Sequence, residues 1–257
     1  MSELVISHQN GMSATLTLNQ PAKRNPISPA MRAALIGSLE LLRKDEKIRS
    51  VILTGAGDAF CSGLDLETFA GESYEEDLAD SKSIRDFYDY LLGYPKPLIA
   101  AVNGPAVAGG AGVALVCDVT ILSDKASFCF SEVRLGFVPA IVGVYLQLSI
   151  GVKKARELML SARSVSAHES LAIGVVDGVV SPEMLASECQ RWAAQFAKNS
   201  PEAMASTKRL LAEQLRHKTL FDMNLAVEMN AKARQTSECK AGVKSFLCKE
   251  KPPWTYQ

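Results

Sequence analysis

Apolar positions along this chain follow two periods, one of two residues and one near 3.6. Residues 4–8 and 14–18 read as strands, the second alternating Ala-Thr-Leu-Thr-Leu, with Asn10-Gly11 as the turn between them. Ser28-Pro29 supplies an N-cap and a first helical residue for a helix to about Lys44, with apolar side chains at Met31, Leu35, Leu39 and Leu42. Residues 51–54 and 98–102 are apolar throughout, as interior strands are. Further strands are predicted at 119–123, in a short segment at 127–130, and at 175–180. Helices are predicted at about 142–150 and 153–161, and Ser166-Ala167-His168-Glu169 has the form of a capping box for another.

From Pro182 onward no strand pattern remains. Ser200-Pro201-Glu202 starts one helix, and a long one covers roughly 218–236. The expected organisation is therefore an α/β core over residues 1–195 and an all-helical region over 196–257. Repeated βα units imply parallel strands with right-handed crossovers. A helical tail with apolar faces and no sheet to cover points to subunit contact. Residues 67–94 are more polar, with Glu72, Glu75, Glu76, Asp77 and Asp80 close together. Acids that follow one another along the chain predict a solvated helix or a lid rather than a metal site.

Composition narrows the function classes. The chain has 257 residues, 47% hydrophobic and 22% charged, with 28 basic and 28 acidic side chains. Zero net charge gives no global field for nucleic acid or an anionic membrane. No apolar run approaches the ~18–20 residues of a membrane span, and the first residues lack the basic start and apolar core of a signal peptide. The six cysteines form no CxxC pair and the three histidines are far apart. The expectation is a reducing, cytoplasmic setting and no metal. Cys61 reads as a small core-lining residue rather than a nucleophile.

The stretch Pro97–Asp118 carries the chemistry. An apolar strand turns at Asn103-Gly104-Pro105 and enters Ala108-Gly109-Gly110-Ala111-Gly112 at the head of a helical pattern running to Cys117. Small residues there let another molecule approach the backbone and leave amide N–H groups free to hold an electron-rich oxygen. Close packing of a helix on a sheet would use the same residues. A dinucleotide fingerprint does not fit, because position 115 is Leu rather than a third glycine and Asp118 is too near to serve as the ribose acid.

Four blocks together resemble the crotonase (enoyl-CoA hydratase/isomerase) superfamily. They are the run from Asn19 to Asn25, the run Phe60-Cys61-Ser62-Gly63-Leu64-Asp65-Leu66, residues 99–118, and residues 128–136 continuing to Pro139. The ending at 246–252 resembles that family's C-terminus as well. The resemblance implies a spiral of ββα units followed by a C-terminal helical region that builds trimers, often paired into hexamers. It also implies a coenzyme A thioester as substrate, no permanently bound cofactor, and an enolate oxygen held by the amides of Leu64 and Gly109.

By the same resemblance, the cations of Lys23, Arg24, Lys249 and Lys251 would meet the coenzyme's phosphates. Ser62, Gly63, Asp65 and Leu66, with Gly110, would line its path. The chain departs from the two-glutamate pattern, since the first acid position is Gly112 and the second is Glu132. A lone carboxylate in an apolar pocket lined by Phe130, Phe137 and Val138 would have a raised pKa suited to proton transfer. A surface Glu132 paired with Arg134 is the plainer reading. The Ser-Glu-Val-Arg-Leu-Gly block resembles that of hydratases acting on branched enoyl thioesters, whereas a single acid suits a double-bond shift. Hydration is the expectation, with Δ3–Δ2 isomerisation and a non-catalytic acyl-CoA binder as alternatives. Hydrolysis or decarboxylation on the same scaffold would need another polar group facing the thioester. A second acid from the 67–94 segment, such as Glu67, is one further source of proton transfer.

Overall fold

The computed structural model describes residues 3–69 and 73–255; the first and last two residues and 70–72, which include Glu72 of the acidic cluster, lie outside it. A six-stranded sheet has the order β1 (Val5–Asn10), β2 (Ser13–Leu18), β3 (Ser50–Gly55), β4 (Leu98–Val102), β6 (Val119–Ser123), β9 (Gly178–Val180). A smaller sheet joins β5 (Ala106–Val107), β7 (Ser127–Cys129) and β8 (Ser164–Ser166). In the large sheet β1 and β2 form an antiparallel hairpin, and every later pairing is parallel. Helices α1 (Pro29–Lys44), α2 (Tyr74–Leu92), α3 (Gly109–Leu115), α4 (Ala140–Ser161) and α5 (Ala167–Ala172) alternate with these strands. Then α6 (Pro182–Phe196), α7 (Pro201–Arg234) and α8 (Ser237–Leu247) close the chain.

The fully apolar strands are explained by helices on both faces of the sheet. On one face Leu16, Leu53, Ala100 and Leu122 pack with Leu35 and Leu39 of α1. On the other, Ile52, Ile99 and Ile121 pack with Leu185, Cys189 and Ala193 of α6. Successive side chains thus go to opposite, equally buried sides.

Several boundaries differ from expectation for local reasons. The strand expected at 175–180 shortens to β9, because the Asp177 carboxylate accepts from the Thr120 N–H (2.7 Å) where a ladder carbonyl would stand. Val175 and Val176 are nevertheless buried. The helices expected at 142–150 and 153–161 are two limbs of α4, kinked at Gly151 (φ 77°, ψ 157°). The two helices expected after Ser200 are one, α7, of 34 residues. Only half the capping box forms: Ser166 Oγ accepts from the Glu169 N–H, while the Glu169 carboxylate binds Arg163.

The largest correction concerns α2. Its acids are not simply solvated: Asp77 is 1% exposed, and Asp80 bridges Arg32 (2.5 Å) and Arg234 (2.8 Å). Ile84, Phe87, Tyr88 and Leu91 recur at helical spacing and join the main core with Met223 and Val227 of α7. Arg234, 1% exposed, also donates to the Phe69 carbonyl (2.8 Å) and to Asn230 Oδ1 (3.1 Å), with its guanidinium 4.6 Å from the Phe69 ring centre. Removing one member of such a buried ionic cluster leaves uncompensated charge. Arg234→Met is therefore expected to lower unfolding free energy by about 3 kcal/mol, read from the urea midpoint at constant m-value.

Candidate active site

Three chain segments meet through the small sheet. Ala106 and Val107 of β5 pair with Phe128 and Cys129 of β7, and on the other side Cys61 bridges to Ala106. The turn after Cys61, the entry to α3 and the segment after Cys129 therefore lie side by side. The loop at 19–25 fixes the first of these: Asn25 is fully buried and its amide group donates to the carbonyls of Ala56 and Ala59. Ser62 N–H donates to Arg24 O, and Ile27 N–H to Gly63 O.

Backbone contact then forces the glycines. Gly63 has φ 92°, and a Cβ there would stand 2.8 Å from the Val107 oxygen and 3.4 Å from the Gly109 nitrogen. A Cβ at Gly110 would overlap the Cys61 carbonyl. Gly63 and Gly110 thus allow the close approach of backbone to backbone. Ala108 N–H donates to Cys129 O, and the residue then takes φ 50°, ψ −122°, which is strained for a non-glycine. That conformation opens the first turn of α3. Neither the Gly109 N–H nor the Leu64 N–H meets a protein acceptor among the described residues.

Both residues line a cavity of about 200 Å³, walled by Leu66, Phe69, Phe137 and Phe246, with Ser62 near its edge. Glu132 opens into the same space from a short 3-10 turn, Glu132–Leu135, placed by the β7 strand that precedes it. Its side chain is buried and its Oε2 has no hydrogen-bond partner. Burial pushes the carboxyl up to about 7, only partly offset by its own backbone N–H. Glu132 makes no ion pair among the described residues, so the pairing with Arg134 is absent; Arg134 stands exposed on the cavity wall. Phe137 lines the cavity as expected, Val138 lines a narrower recess beyond it, and Phe130 lines neither.

The remaining candidates sit further out. Lys23 is exposed and bound to Glu67 (2.5 Å), which is itself exposed and lines no part of the cavity. Glu67 is thus not placed to supply a second acid. Arg24, Lys249 and Lys251 are exposed, and none of them lines the cavity of the single chain. Asp65 caps its own turn, accepting from the Glu67 N–H. Burial pushes the Cys61 thiol up to about 12, which keeps it protonated and unreactive. No three His, Cys, Asp or Glu side chains converge as metal ligands among the described residues.

One site residue escaped sequence reasoning. A Cβ at Gly112 would meet the Tyr88 hydroxyl at 2.8 Å and its ring at 2.9 Å. The Tyr88 ring therefore occupies the room a side chain at 112 would need. Its hydroxyl donates to the Gly109 carbonyl (2.8 Å) and so anchors the first turn of α3. The signal was the spacing of Ile84, Tyr88 and Leu91 on one helix face, masked by the polar residues between them.

The model of the family described as enoyl-CoA hydratase/isomerase matches residues 8–257. A Thermus thermophilus protein carrying an enoyl-CoA hydratase name is 38% identical over 96% of this chain and 99% of its own. The 2,3-dehydroadipyl-CoA hydratase of Escherichia coli is 31% identical over 98% of each chain. The crystal structure of an enoyl-CoA hydratase from Mycobacterium avium superposes with a TM-score of 0.88 at 26% identity, covering 99% of this chain and 100% of that one. The chain belongs to the enoyl-CoA hydratase/isomerase family, the crotonase superfamily, and has its fold of ββα units followed by helices.

Proposed function

We propose that this enzyme adds water to a 2-enoyl-CoA thioester, with Glu132 as the sole proton-transfer group and the amides of Leu64 and Gly109 as the oxyanion hole. The observation that carries the reading is a buried carboxyl with one unpartnered oxygen, opening into the cavity that two unengaged backbone amides also line. The thioester oxygen would accept from both N–H groups. The Glu132 carboxylate takes a proton from water as the hydroxide oxygen bonds to C3, giving an enolate; the same carboxyl returns the proton to C2. Two prepositioned donors stabilise that enolate without reorganisation, each contributing about 3–4 kcal/mol. The raised proton affinity of Glu132 supports turnover over mere binding.

A double-bond shift is the second reading, favoured by the absence of any other carboxylate from the cavity wall among the described residues. Glu132 would then move a proton between C2 and C4. The two reactions separate on incubation with 2-enoyl- and 3-enoyl-CoA, since hydration removes the conjugated thioester absorbance and isomerisation creates it.

The coenzyme would run out past Ser62 and Leu66, with Lys23, Arg24, Lys249, Lys251 and the cavity-wall Arg134 available to its phosphates. Residues 196–257 would form the assembly region of a trimer or of paired trimers. Along α7, Leu220, Phe221, Leu225 and Met229 are 44–78% exposed, a cost to a lone chain that a second copy would remove. The six free cysteines fit a reducing cytoplasm. No helix among the described residues is long and apolar enough to cross a membrane.

Glu132→Gln is expected to lower kcat at least about 100-fold. The wild-type rate should rise with pH through about 7, because the carboxylate form is the base; the variant should lose that inflection. A pH–rate profile on the active enoyl-CoA checks both.

Stability should move the other way. The folded state holds the Glu132 proton more tightly than the unfolded chain does, so this contribution is full below about pH 4.5 and is lost as pH rises to about 7. Glu132→Gln should then unfold later than wild type at pH 8, by up to about 3 kcal/mol, and equally at pH 4, as measured by denaturant titration at each pH.

Phe221→Asp should shift the assembly toward single chains in light-scattering chromatography. Unchanged mass would remove α7 as the contact.

A further inference from the structure

Beside the main cavity lies a recess of about 20 Å³, whose wall shares Leu64, Gly109, Glu132 and Phe137 with it. Its inner wall is apolar, with Ile84 and Ile141, apart from Tyr88 and Asn230. The Tyr88 hydroxyl is already spent on the Gly109 carbonyl. Asn230, on α7, is not: it is 4% exposed, and only one end of its amide is engaged.

The orientation of that amide is fixed. Arg234 Nε can only donate, so the Asn230 atom 3.1 Å from it is Oδ1, and the Ser81 hydroxyl lies 2.8 Å from the same oxygen. Nδ2 is left with two N–H donors and no protein acceptor among the described residues. The residue is 4% exposed, yet Nδ2 itself is not sealed off, so a group entering beside it can accept from it. Arg234 is held by Asp80 and Phe69 and Asp80 by Arg32, so the amide is preorganised, and the cation behind Oδ1 strengthens Nδ2–H as a donor.

We propose that Asn230 is a specificity-determining residue that selects short acyl-CoA thioesters carrying a carbonyl or carboxylate oxygen on the acyl tail. This rests on the acyl-CoA reading above and deepens it. An apolar tail would enter the recess while leaving Nδ2 unpaired; an oxygen-bearing one would complete it. The recess has room for little more than one such group, which limits the tail beyond it.

The test is calorimetric titration of the purified protein with freshly prepared saturated thioesters, which have no double bond to hydrate or shift. Pentanoyl- and hexanoyl-CoA carry apolar tails, 4-oxopentanoyl- and 5-oxohexanoyl-CoA a neutral carbonyl, and succinyl- and glutaryl-CoA a carboxylate. At one of the two lengths an oxygen-bearing ligand is expected to bind about tenfold more tightly than its apolar counterpart. The arm that gains identifies ketone or carboxylate as the acceptor.

Asn230→Asp keeps an oxygen toward Arg234 but replaces the donor with an acceptor. It should erase the preference while leaving the apolar ligand within about twofold. Asn230→Leu gives the same ratio test should the Asp variant fail to fold. Equal binding of all ligands of a given length by the wild type, or a preference that survives both variants, overturns the proposal. Turnover of enoyl-CoA is assayed separately. Turnover without a tail preference sinks this inference alone, whereas a tail preference without turnover sinks the catalytic reading and leaves the Asn230 site standing as a binding site.

Discussion

The site depends on backbone meeting backbone. Residues 61–63, 106–110 and 128–129 are brought within hydrogen-bonding distance by a sheet only two or three residues long, and no side chain fits between them at Gly63 or Gly110. Such contact makes the direction of two amides a property of the main chain rather than of a rotamer. A donor fixed in this way needs no ordering when charge develops beside it. The strain at Ala108 belongs to the same arrangement, since a relaxed helical conformation there would begin the helix one residue earlier and swing the Gly109 amide.

Burial of Glu132 is the counterpart of that rigidity. A carboxyl removed from water and given no cation resists ionisation, which brings its proton affinity near neutrality. An ion pair with Arg134 would have stabilised the charged form and made a weaker base. The protein keeps the cation on the outer wall instead, and the acid unsatisfied within.

How much of this was legible differs from element to element. The alternating faces of β2 and the mainly apolar β3, β4 and β6 were readable because their burial is decided by a regular sheet. The Ser28-Pro29 start of α1 was readable because capping is local. Glu132 and the two amides came from motif order, not from periodicity. What stayed hidden was long-range. Asp80 looks like one acid in a solvated run until Arg32 and Arg234, 48 and 154 residues away, reach it. Tyr88 looks like one aromatic on a polar helix until α3 brings Gly112 against it. The end of β9 turned on the Asp177 side chain replacing a strand carbonyl, which no pattern of apolar residues records.

The meeting of Tyr88 with Gly112 also constrains how this sequence can diverge. A mutation that introduced a carboxylate at 112 would collide with the phenol, and one that shrank the phenol first would open a void and free the Gly109 carbonyl. Either single step carries a packing cost that a paired change avoids. A chain holding this pair therefore gains a side chain at 112 most readily when position 88 changes with it.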